Sequence, residues 1–146
     1  MIRVVIDTNV VVSAALNDDG LPAAVLSLAI NRAVLMFVSP AVLTEYETVL
    51  HRPRLKLNPK RISAILADIR AASRLVHPGG IVAEIKNDDP DNRFLECARA
   101  AAAEYLVTGN TKHFPETFET TTIVTPKQFV ELVLPLLAQY DKETDG

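Results

Sequence analysis

Short apolar runs rich in β-branched residues alternate along the chain with longer segments of helical periodicity. The first run, residues 3–6, ends directly before the acid Asp7. Such runs predict strands that are buried on both faces, as in a parallel sheet. The other runs lie at residues 34–38, at 75–77 with 81–82 as an extension, at 105–108 and at 121–124. Strands that alternate with helices are typical of a parallel sheet covered by helices on both faces.

A capping residue stands directly before proline at four points and predicts four helix starts. The capping side chain accepts a backbone N–H, and proline lacks the N–H that would otherwise go unbonded. The pairs are Ser39-Pro40, Asn58-Pro59, Asp89-Pro90 and Thr125-Pro126. Thr125 and Gln128 also have capping-box spacing, and a further helix is expected over residues 21–32. The last helix is predicted over residues 126–134, where Pro135 is expected to end or kink it.

The length of 146 residues predicts one domain, over residues 1–140, followed by a short polar tail at 141–146. A composition of 49% hydrophobic and 23% charged residues is typical of a soluble globular protein. The single cysteine, Cys97, excludes an intramolecular disulfide and a cysteine-rich zinc site, and it favours a reducing, cytoplasmic compartment. Polar residues and proline interrupt residues 21–43, so no membrane span is expected.

The net charge of -3 argues against nucleic-acid binding over the whole surface, so any such contact requires a local basic patch. Residues 51–61 contain five basic residues and no acid. Together with Lys112, which follows a later strand, they are candidate phosphate contacts. The five are Arg52, Arg54, Lys56, Lys60 and Arg61. A solvated loop and helix face explains the same charges equally well.

Asp7 stands at the carboxyl end of the first predicted strand, which is the edge where open α/β sheets bind ligands. A carboxylate there is costly unless it meets a metal ion, a base or a hydrogen-bond donor. We therefore expect Asp7 to anchor a metal site, with Thr8 and Asn9 orienting it through hydrogen bonds. The alternative is a structural role, in which Asp7 caps the turn that follows it.

Asp91 stands in the first turn of a predicted helix whose apolar face includes Phe94 and Leu95. Its spacing of three and four residues from them puts its carboxylate on the same face, towards the core. A carboxylate in that position requires a partner, so Asp91 is a second candidate ligand. The neighbouring Asp88 and Asp89 need no function, because acids favour the positive N-terminal end of a helix.

Two further segments supply candidate ligands. Asn110 follows the strand at residues 105–108, and it faces Asp7 if that strand lies beside the first; a simple Gly-Asn turn is the alternative. On the first of the proline-started helices, Glu45 and Glu47 flank the apolar stripe on opposite sides. Periodicity does not choose between these two acids.

Taken together, these segments resemble the PIN-domain family. The matching motifs are Val5-Ile6-Asp7-Thr8-Asn9-Val10, Ser39-Pro40 leading to Glu45, Asp89-Pro90-Asp91-Asn92-Arg93-Phe94-Leu95, and Leu106-Val107-Thr108-Gly109-Asn110. They follow one another over nearly the whole chain, from residue 2 to about residue 134. The nearest resemblance is to the bacterial and archaeal toxin components of the VapC type, which are ribonucleases.

The resemblance implies a three-layer α/β/α sandwich with a central, mostly parallel sheet of about five strands. It implies that Asp7, Glu45 and Asp91 bind Mg²⁺ or Mn²⁺, and it selects Glu45 from the two glutamates. Many members have aspartate where this chain has Asn110. Asparagine keeps a carbonyl oxygen as a ligand but drops a negative charge, so a second metal ion would be held more weakly.

The expected function is a metal-dependent endoribonuclease that hydrolyses RNA phosphodiester bonds, as the toxin of a type II toxin–antitoxin pair. Asn110 would assist the three acids, and Thr8, Asn9 and Thr108 would orient them or contact phosphate. The expected partners are RNA, a small antitoxin protein and a second copy of the chain in a homodimer. The alternative is a PIN-like module that binds RNA or a protein without cutting. A phosphatase with Asp7 as nucleophile is disfavoured, because such enzymes typically need a second aspartate where Asn9 stands.

Overall fold

The computed structural model describes residues 1–82 and 89–145, and of Asp89 and residues 140–145 it describes the backbone alone. Six strands and six helices lie within these ranges. The strands are β1 (Arg3–Ile6), β2 (Leu35–Val38), β3 (Arg74–Leu75), β4 (Tyr105–Val107), β5 (Thr117–Phe118) and β6 (Thr121–Val124). The helices are α1 (Thr8–Leu16), α2 (Leu21–Ile30), α3 (Pro40–Leu50), α4 (Pro59–Ala72), α5 (Asp89–Ala101) and α6 (Pro126–Asp145).

The described strands form one sheet in the order β3-β2-β1-β4-β6-β5. Every neighbouring pair is parallel except β5 and β6. This confirms the predicted α/β class with a mostly parallel central sheet, and it is consistent with the α/β/α sandwich. The sheet has six strands rather than about five because the two-residue β5 folds back on β6. A pairing of that length leaves no apolar run in the sequence.

The central strand β1 places the candidate site. Its residues 4–6 are fully buried, as a strand covered on both faces requires. β1 pairs with β2 on one side and with β4 on the other, where Ile6 lies opposite Val107. The chain passes from β1 to β2 first and reaches β4 later, so the direction of strand addition reverses between β1 and β4. The carboxyl ends at such a reversal are where open α/β sheets bind ligands.

The predicted helix starts agree with the structure. The side chains of Ser39 and Asn58 accept backbone N–H groups in the first turns of α3 and α4, at 3.1 and 2.8 Å. Thr125 and Gln128 exchange the two hydrogen bonds of a capping box, at 2.9 and 3.1 Å. The helix α5 begins at Asp89. The predicted cap, the side chain of Asp89, lies outside the described side chains.

The last helix is longer than predicted. α6 passes through Pro135 to Asp145, so the polar tail expected at residues 141–146 is helical as far as Asp145. Proline removes one backbone hydrogen bond from a helix interior. Because Pro135 lies on an exposed part of α6, water can satisfy the carbonyl that this leaves unbonded. Among the helices of residues 1–82 and 89–145, none combines the length and apolar character of a membrane span.

Two other elements differ from the sequence pattern. The valine run at residues 10–12 has strand propensity, yet it lies inside α1. Capping by Asp7 and burial of two of these valines outweigh that local preference. The edge strand β3 is limited to two residues, and residues 81–82 do not extend it. The apolar pattern therefore overestimates the strand content at this edge.

Candidate active site

Asp7 is the most enclosed of the candidate acids, at 5% exposure. It directly follows β1 and is the N-cap of α1, where its Oδ1 accepts the backbone N–H of Thr8 at 2.7 Å. Its own N–H donates to the carbonyl of Val107 at 2.8 Å, which extends the β1–β4 ladder by one residue. The structural role of Asp7 as a cap is therefore real. Capping uses only one of the two carboxylate oxygens of Asp7.

Thr108 controls the other oxygen of Asp7. Its hydroxyl, which is fully buried at the end of β4, donates to Asp7 Oδ2 at 2.8 Å. The same hydroxyl accepts the backbone N–H of Asn110 at 3.0 Å. One side chain thus orients the carboxylate and also fixes the turn that carries Asn110. The sequence predicted a supporting role for Thr108, and these contacts supply its geometry.

Asn9 joins helix α1 to the loop after β4. Its Oδ1 accepts the backbone N–H of Gly109 at 3.0 Å, and its Nδ2 donates to the Thr108 hydroxyl at 3.4 Å. The Asn9 amide is therefore used for positioning, which favours this role over the predicted phosphate contact. We refer to Asp7, Asn9 and Thr108 as the fixed side of the site.

Glu45 lies on α3 next to Tyr46, which ties this helix to the site. The Tyr46 hydroxyl donates a short hydrogen bond to the Ile6 carbonyl, directly before Asp7. Glu45 is half-buried. Glu47 is exposed and lies 3.6 Å from the guanidinium of Arg70 on α4. An exposed ion pair explains Glu47 without function. The choice of Glu45 as a metal ligand stays a prediction.

Asp91 and Asn110 form a more accessible part of the site together with His113. The Asp91 side chain in the first turn of α5 is 16% exposed, and its Oδ2 lies 3.7 Å from Nδ1 of His113. The Nδ2 of Asn110 lies 3.2 Å from each nitrogen of the same imidazole. We refer to Asp91, Asn110 and His113 as the open side. His113 was not among the predicted ligands, and its signal in the sequence is its position three residues after Asn110.

The helices that carry Glu45 and Asp91, α3 and α5, pack against each other. The rings of Tyr46 and Phe94 lie 6.1 Å apart, and these residues stand one and three positions from Glu45 and Asp91. A second buried acid of α5, Glu96, pairs with Arg93 at 2.6 Å. That pairing accounts for the burial of Glu96 without a catalytic role. Asp88 lies outside the described residues, so its predicted place beside the helix start is not seen.

Burial perturbs two further groups behind the fixed side. Burial raises the pKa of the Tyr46 phenol well above its usual value, with smaller electrostatic contributions from Cys97 and Asp7. The phenol therefore keeps its proton and continues to donate to the Ile6 carbonyl. Burial likewise raises the pKa of the Cys97 thiol to about 12, although a hydrogen bond with Ser39 lowers it slightly. A protonated, enclosed thiol is a core group and not a nucleophile.

The predicted basic segment covers the connection between α3 and α4 and the first turn of α4, and its members are not equivalent. All five side chains are exposed, and four of them pair with no acid in the described part of the chain, namely Arg52, Arg54, Lys56 and Lys60. Arg61 instead pairs with Asp18, and its Nε donates to the carbonyl of Ala15 at 3.1 Å. This guanidinium links α4 to the end of α1. Lys112 is exposed in the short turn that also contains His113.

The donor chemistry of the site fits a divalent metal ion. Asp7, Glu45 and Asp91 offer carboxylate oxygens, the ligands preferred by Mg²⁺ and Mn²⁺. The buried hydroxyl of Thr8 has no hydrogen-bond partner in the described part of the chain, which fits a ligand or water beside Asp7. Within residues 1–82 and 89–145, no three Asp, Glu, His or Cys side chains are grouped closely enough to form a metal cluster by themselves.

A comparison with known protein families covers all of this site except His113. A family model described as PIN domain matches residues 3–112. The matched span includes the three acids and Asn110. A relative from Methanocaldococcus jannaschii, Uncharacterized protein MJ1680, is 30% identical over an alignment of 142 positions, and the alignment covers 89% of this chain and 90% of the relative.

Proposed function

The chain belongs to the PIN-domain family, and from that premise we propose that it is a divalent-metal-dependent endoribonuclease. PIN domains are generally nucleases, and they typically use a divalent metal ion. The observation that carries the proposal is the buried carboxylate of Asp7, oriented by the Thr108 hydroxyl where the order of strand addition reverses. A buried carboxylate held in one orientation is a suitable anchor for a metal ion.

We propose Asp7, Glu45 and Asp91 as the residues that hold the metal, with the Asn110 amide assisting. When bound, Mg²⁺ or Mn²⁺ would supply positive charge to the phosphodiester and activate water for in-line attack on phosphorus. Thr108 and Asn9 keep Asp7 and the Asn110 turn in place during this reaction. Thr8 offers its hydroxyl to a water or phosphate oxygen. No side chain of this set need form a covalent bond to the substrate.

The exposed basic residues between α3 and α4 support RNA as the substrate. Lys and Arg contacts to phosphate supply affinity that does not depend on base sequence. The helix α3, which carries Glu45, ends at Leu50, and Arg52 follows two residues after that end. We propose Arg52, Arg54, Lys56 and Lys60 as phosphate contacts, with Lys112 beside the open side. Arg61 contributes less, because Asp18 already neutralises it.

The test is RNA cleavage by the purified chain in Mg²⁺, in Mn²⁺ and in EDTA. We expect cutting that needs metal and that falls by more than about a hundredfold in Asp7→Asn and in Asp91→Asn. Asn is as good an N-cap as Asp, so Asp7→Asn should remain folded. Glu47→Gln is the matched control and should cut normally. Equal cutting by all four proteins would identify a contaminating nuclease and refute the proposal.

The composition of the open side favours one alternative, a module that binds RNA or a protein without cutting. An amide stands at Asn110 where a carboxylate would hold metal more strongly, and His113 lies against the Asp91 carboxylate. Metal-independent RNA binding without cleavage in either metal would favour this alternative.

A role as the toxin of a toxin–antitoxin pair is a further proposal, which rests on the resemblance to VapC-type ribonucleases. Induced expression in a bacterial host should arrest growth, whereas expression of Asp7→Asn should not. A small protein encoded next to this chain should bind it and restore growth. Sedimentation of the purified chain tests the expected homodimer, and a monomer at all concentrations would contradict it.

A further inference from the structure

The open side contains an imidazole that no carboxylate-only site requires. Asn110 and His113 belong to one turn, in which the His113 N–H donates to the Asn110 carbonyl at 3.0 Å. That turn brings the His113 ring back over the Asn110 amide and towards the first turn of α5. Three potential donors from two distant segments therefore meet here, namely the Asp91 carboxylate, the Asn110 amide and the His113 imidazole.

We propose that His113 is a metal ligand of this site, together with Asp91, and that it makes the site prefer Mn²⁺ to Mg²⁺. The inference rests on the metal-dependent function proposed above and names one more ligand for it. Asn110 lacks the charge of the carboxylate common at this position in the family. The nitrogen of His113 supplies a donor that compensates for it.

The spacing of the donors suits a shared ion. Metal bonds of about 2.1 Å that meet at tetrahedral or octahedral angles separate two ligand atoms by about 3.0 to 3.4 Å. The Nδ1 of His113 and the Oδ2 of Asp91 lie 3.7 Å apart, so a shift of a few tenths of an ångström is enough. The His113 side chain is 56% exposed and can make that shift without disturbing the core. Rotation of the Asn110 side-chain amide by about 180° directs its oxygen towards the same ion.

The chemical type of the ligand atoms determines which metal ion binds more strongly. Mg²⁺ binds oxygen, keeps several waters and gains little from imidazole. First-row transition ions accept a neutral imidazole nitrogen as well as carboxylate oxygen. A mixed site of Asp91 and His113 therefore strengthens Mn²⁺ binding selectively. A purely structural role for His113, as a ring that only supports the Asn110 turn, would strengthen neither ion in particular.

Metal titration of the metal-free, full-length chain tests this inference without relying on catalysis. We expect calorimetry to give Mn²⁺ affinity at least about tenfold above Mg²⁺ affinity in the unaltered chain. His113→Ala should lower Mn²⁺ affinity about tenfold and leave Mg²⁺ affinity within about twofold. His51→Ala is the matched control, because His51 is exposed at the end of α3, and it should behave as the unaltered chain.

Pulsed electron paramagnetic resonance of the Mn²⁺ complex provides a direct readout. Nitrogen coupling from a coordinated imidazole should be present in the unaltered chain and in His51→Ala, and absent in His113→Ala. Metal binding that disappears in Asp7→Asn but keeps its Mn²⁺ preference and nitrogen coupling in His113→Ala would overturn this inference alone. Failure of the unaltered chain to bind either metal would overturn both the inference and the proposed metal-dependent function.

Discussion

The fixed and open sides of the candidate site are held by different means. On the fixed side, a buried hydrogen bond joins the Asp7 carboxylate to the Thr108 hydroxyl, and a half-buried one joins that hydroxyl to the Asn9 amide. On the open side, the contacts are 3.2 Å between Asn110 and His113 and 3.7 Å between His113 and Asp91, and the imidazole is 56% exposed. Folding therefore orients the first set in advance, whereas a ligand can still draw the second set together. Changes on the fixed side should affect both stability and activity, and changes on the open side chiefly metal affinity.

The largest expected effect comes from alkaline pH, which acts on the core behind the fixed side. The pKa of the Cys97 thiol rises from 9.0 to about 12 on folding, because the thiol is buried. Above pH 9 the unfolded chain loses this proton while the native chain keeps it. The free energy of unfolding should therefore fall between pH 9 and pH 12, by up to about 1.4 kcal/mol per pH unit. Burial also raises the pKa of Tyr46, so its phenol adds to the loss of stability at pH values above the usual pKa of tyrosine.

Urea unfolding of the unaltered chain and of Cys97→Ala over this pH range measures the contribution of the thiol. The variant should be less stable at neutral pH, because it leaves a small cavity, but its stability should decline less steeply above pH 9. Parallel curves for the two proteins would show that the thiol does not cause the decline.

The next effect is expected from Thr108→Val, which keeps the shape of the side chain but removes its hydroxyl. The Oδ2 of Asp7 and the N–H of Asn110 then lose their buried partner. We expect a stability loss of about 1–3 kcal/mol and a fall in cleavage of about 10- to 100-fold. Thermal unfolding and single-turnover cleavage measure the two quantities.

Thr122→Val is the matched control, because Thr122 is exposed on β6. It should change stability by less than about 0.5 kcal/mol and leave cleavage unaltered. If Thr108→Val behaves in the same way, the fixed side is not held by this hydroxyl.

A smaller effect, without a change in stability, is expected from Asn110→Asp on the open side. The added carboxylate should raise metal affinity by up to about tenfold, about 1.4 kcal/mol. Without metal, the free energy of unfolding should change by less than about 0.5 kcal/mol, because Asn110 is exposed, and thermal unfolding measures this change. Calorimetric titration measures the affinity. Unchanged affinity would mean that Asn110 forms only a turn, as its Gly-Asn sequence also allows.

The smallest effect per residue is expected from charge reversal at Arg52, Arg54 and Lys56, which lie outside both sides. Each lost phosphate contact should reduce the slope of log affinity against log salt by about 0.7 for single-stranded RNA. Filter binding over a salt series measures the slope, and Arg74→Glu at the sheet edge is the control. Metal affinity should remain the same in all variants. An unaltered slope in the triple variant would exclude the segment from RNA binding.

The sequence was most informative where local chemistry has one solution. A capping residue before proline meets the hydrogen-bonding needs of a helix start locally, and three of these starts have the expected hydrogen bonds. The position of Asp7 followed from a strand that is apolar on both faces. The neighbouring position of Thr108 required only that β4 pair with β1, as it does.

The remaining features depend on contacts between distant segments. Glu45 and Glu47 have equivalent positions on an isolated helix, and only Arg70 on α4 distinguishes them. His113 joins the site because its turn reaches α5, which no local pattern can reveal. Arg61 looked like its basic neighbours until α1 supplied Asp18 as its partner. The choice of Glu45 over Glu47 rested on family resemblance.

The hydrogen bond between Thr108 and Asp7 spans 101 positions of the chain. Loops of that length close slowly, and parallel pairing of distant strands is among the slower steps of folding. During synthesis the first strand leaves the ribosome long before β4 exists. The candidate site is therefore incomplete on a nascent chain until β4 has been synthesised and has paired with β1.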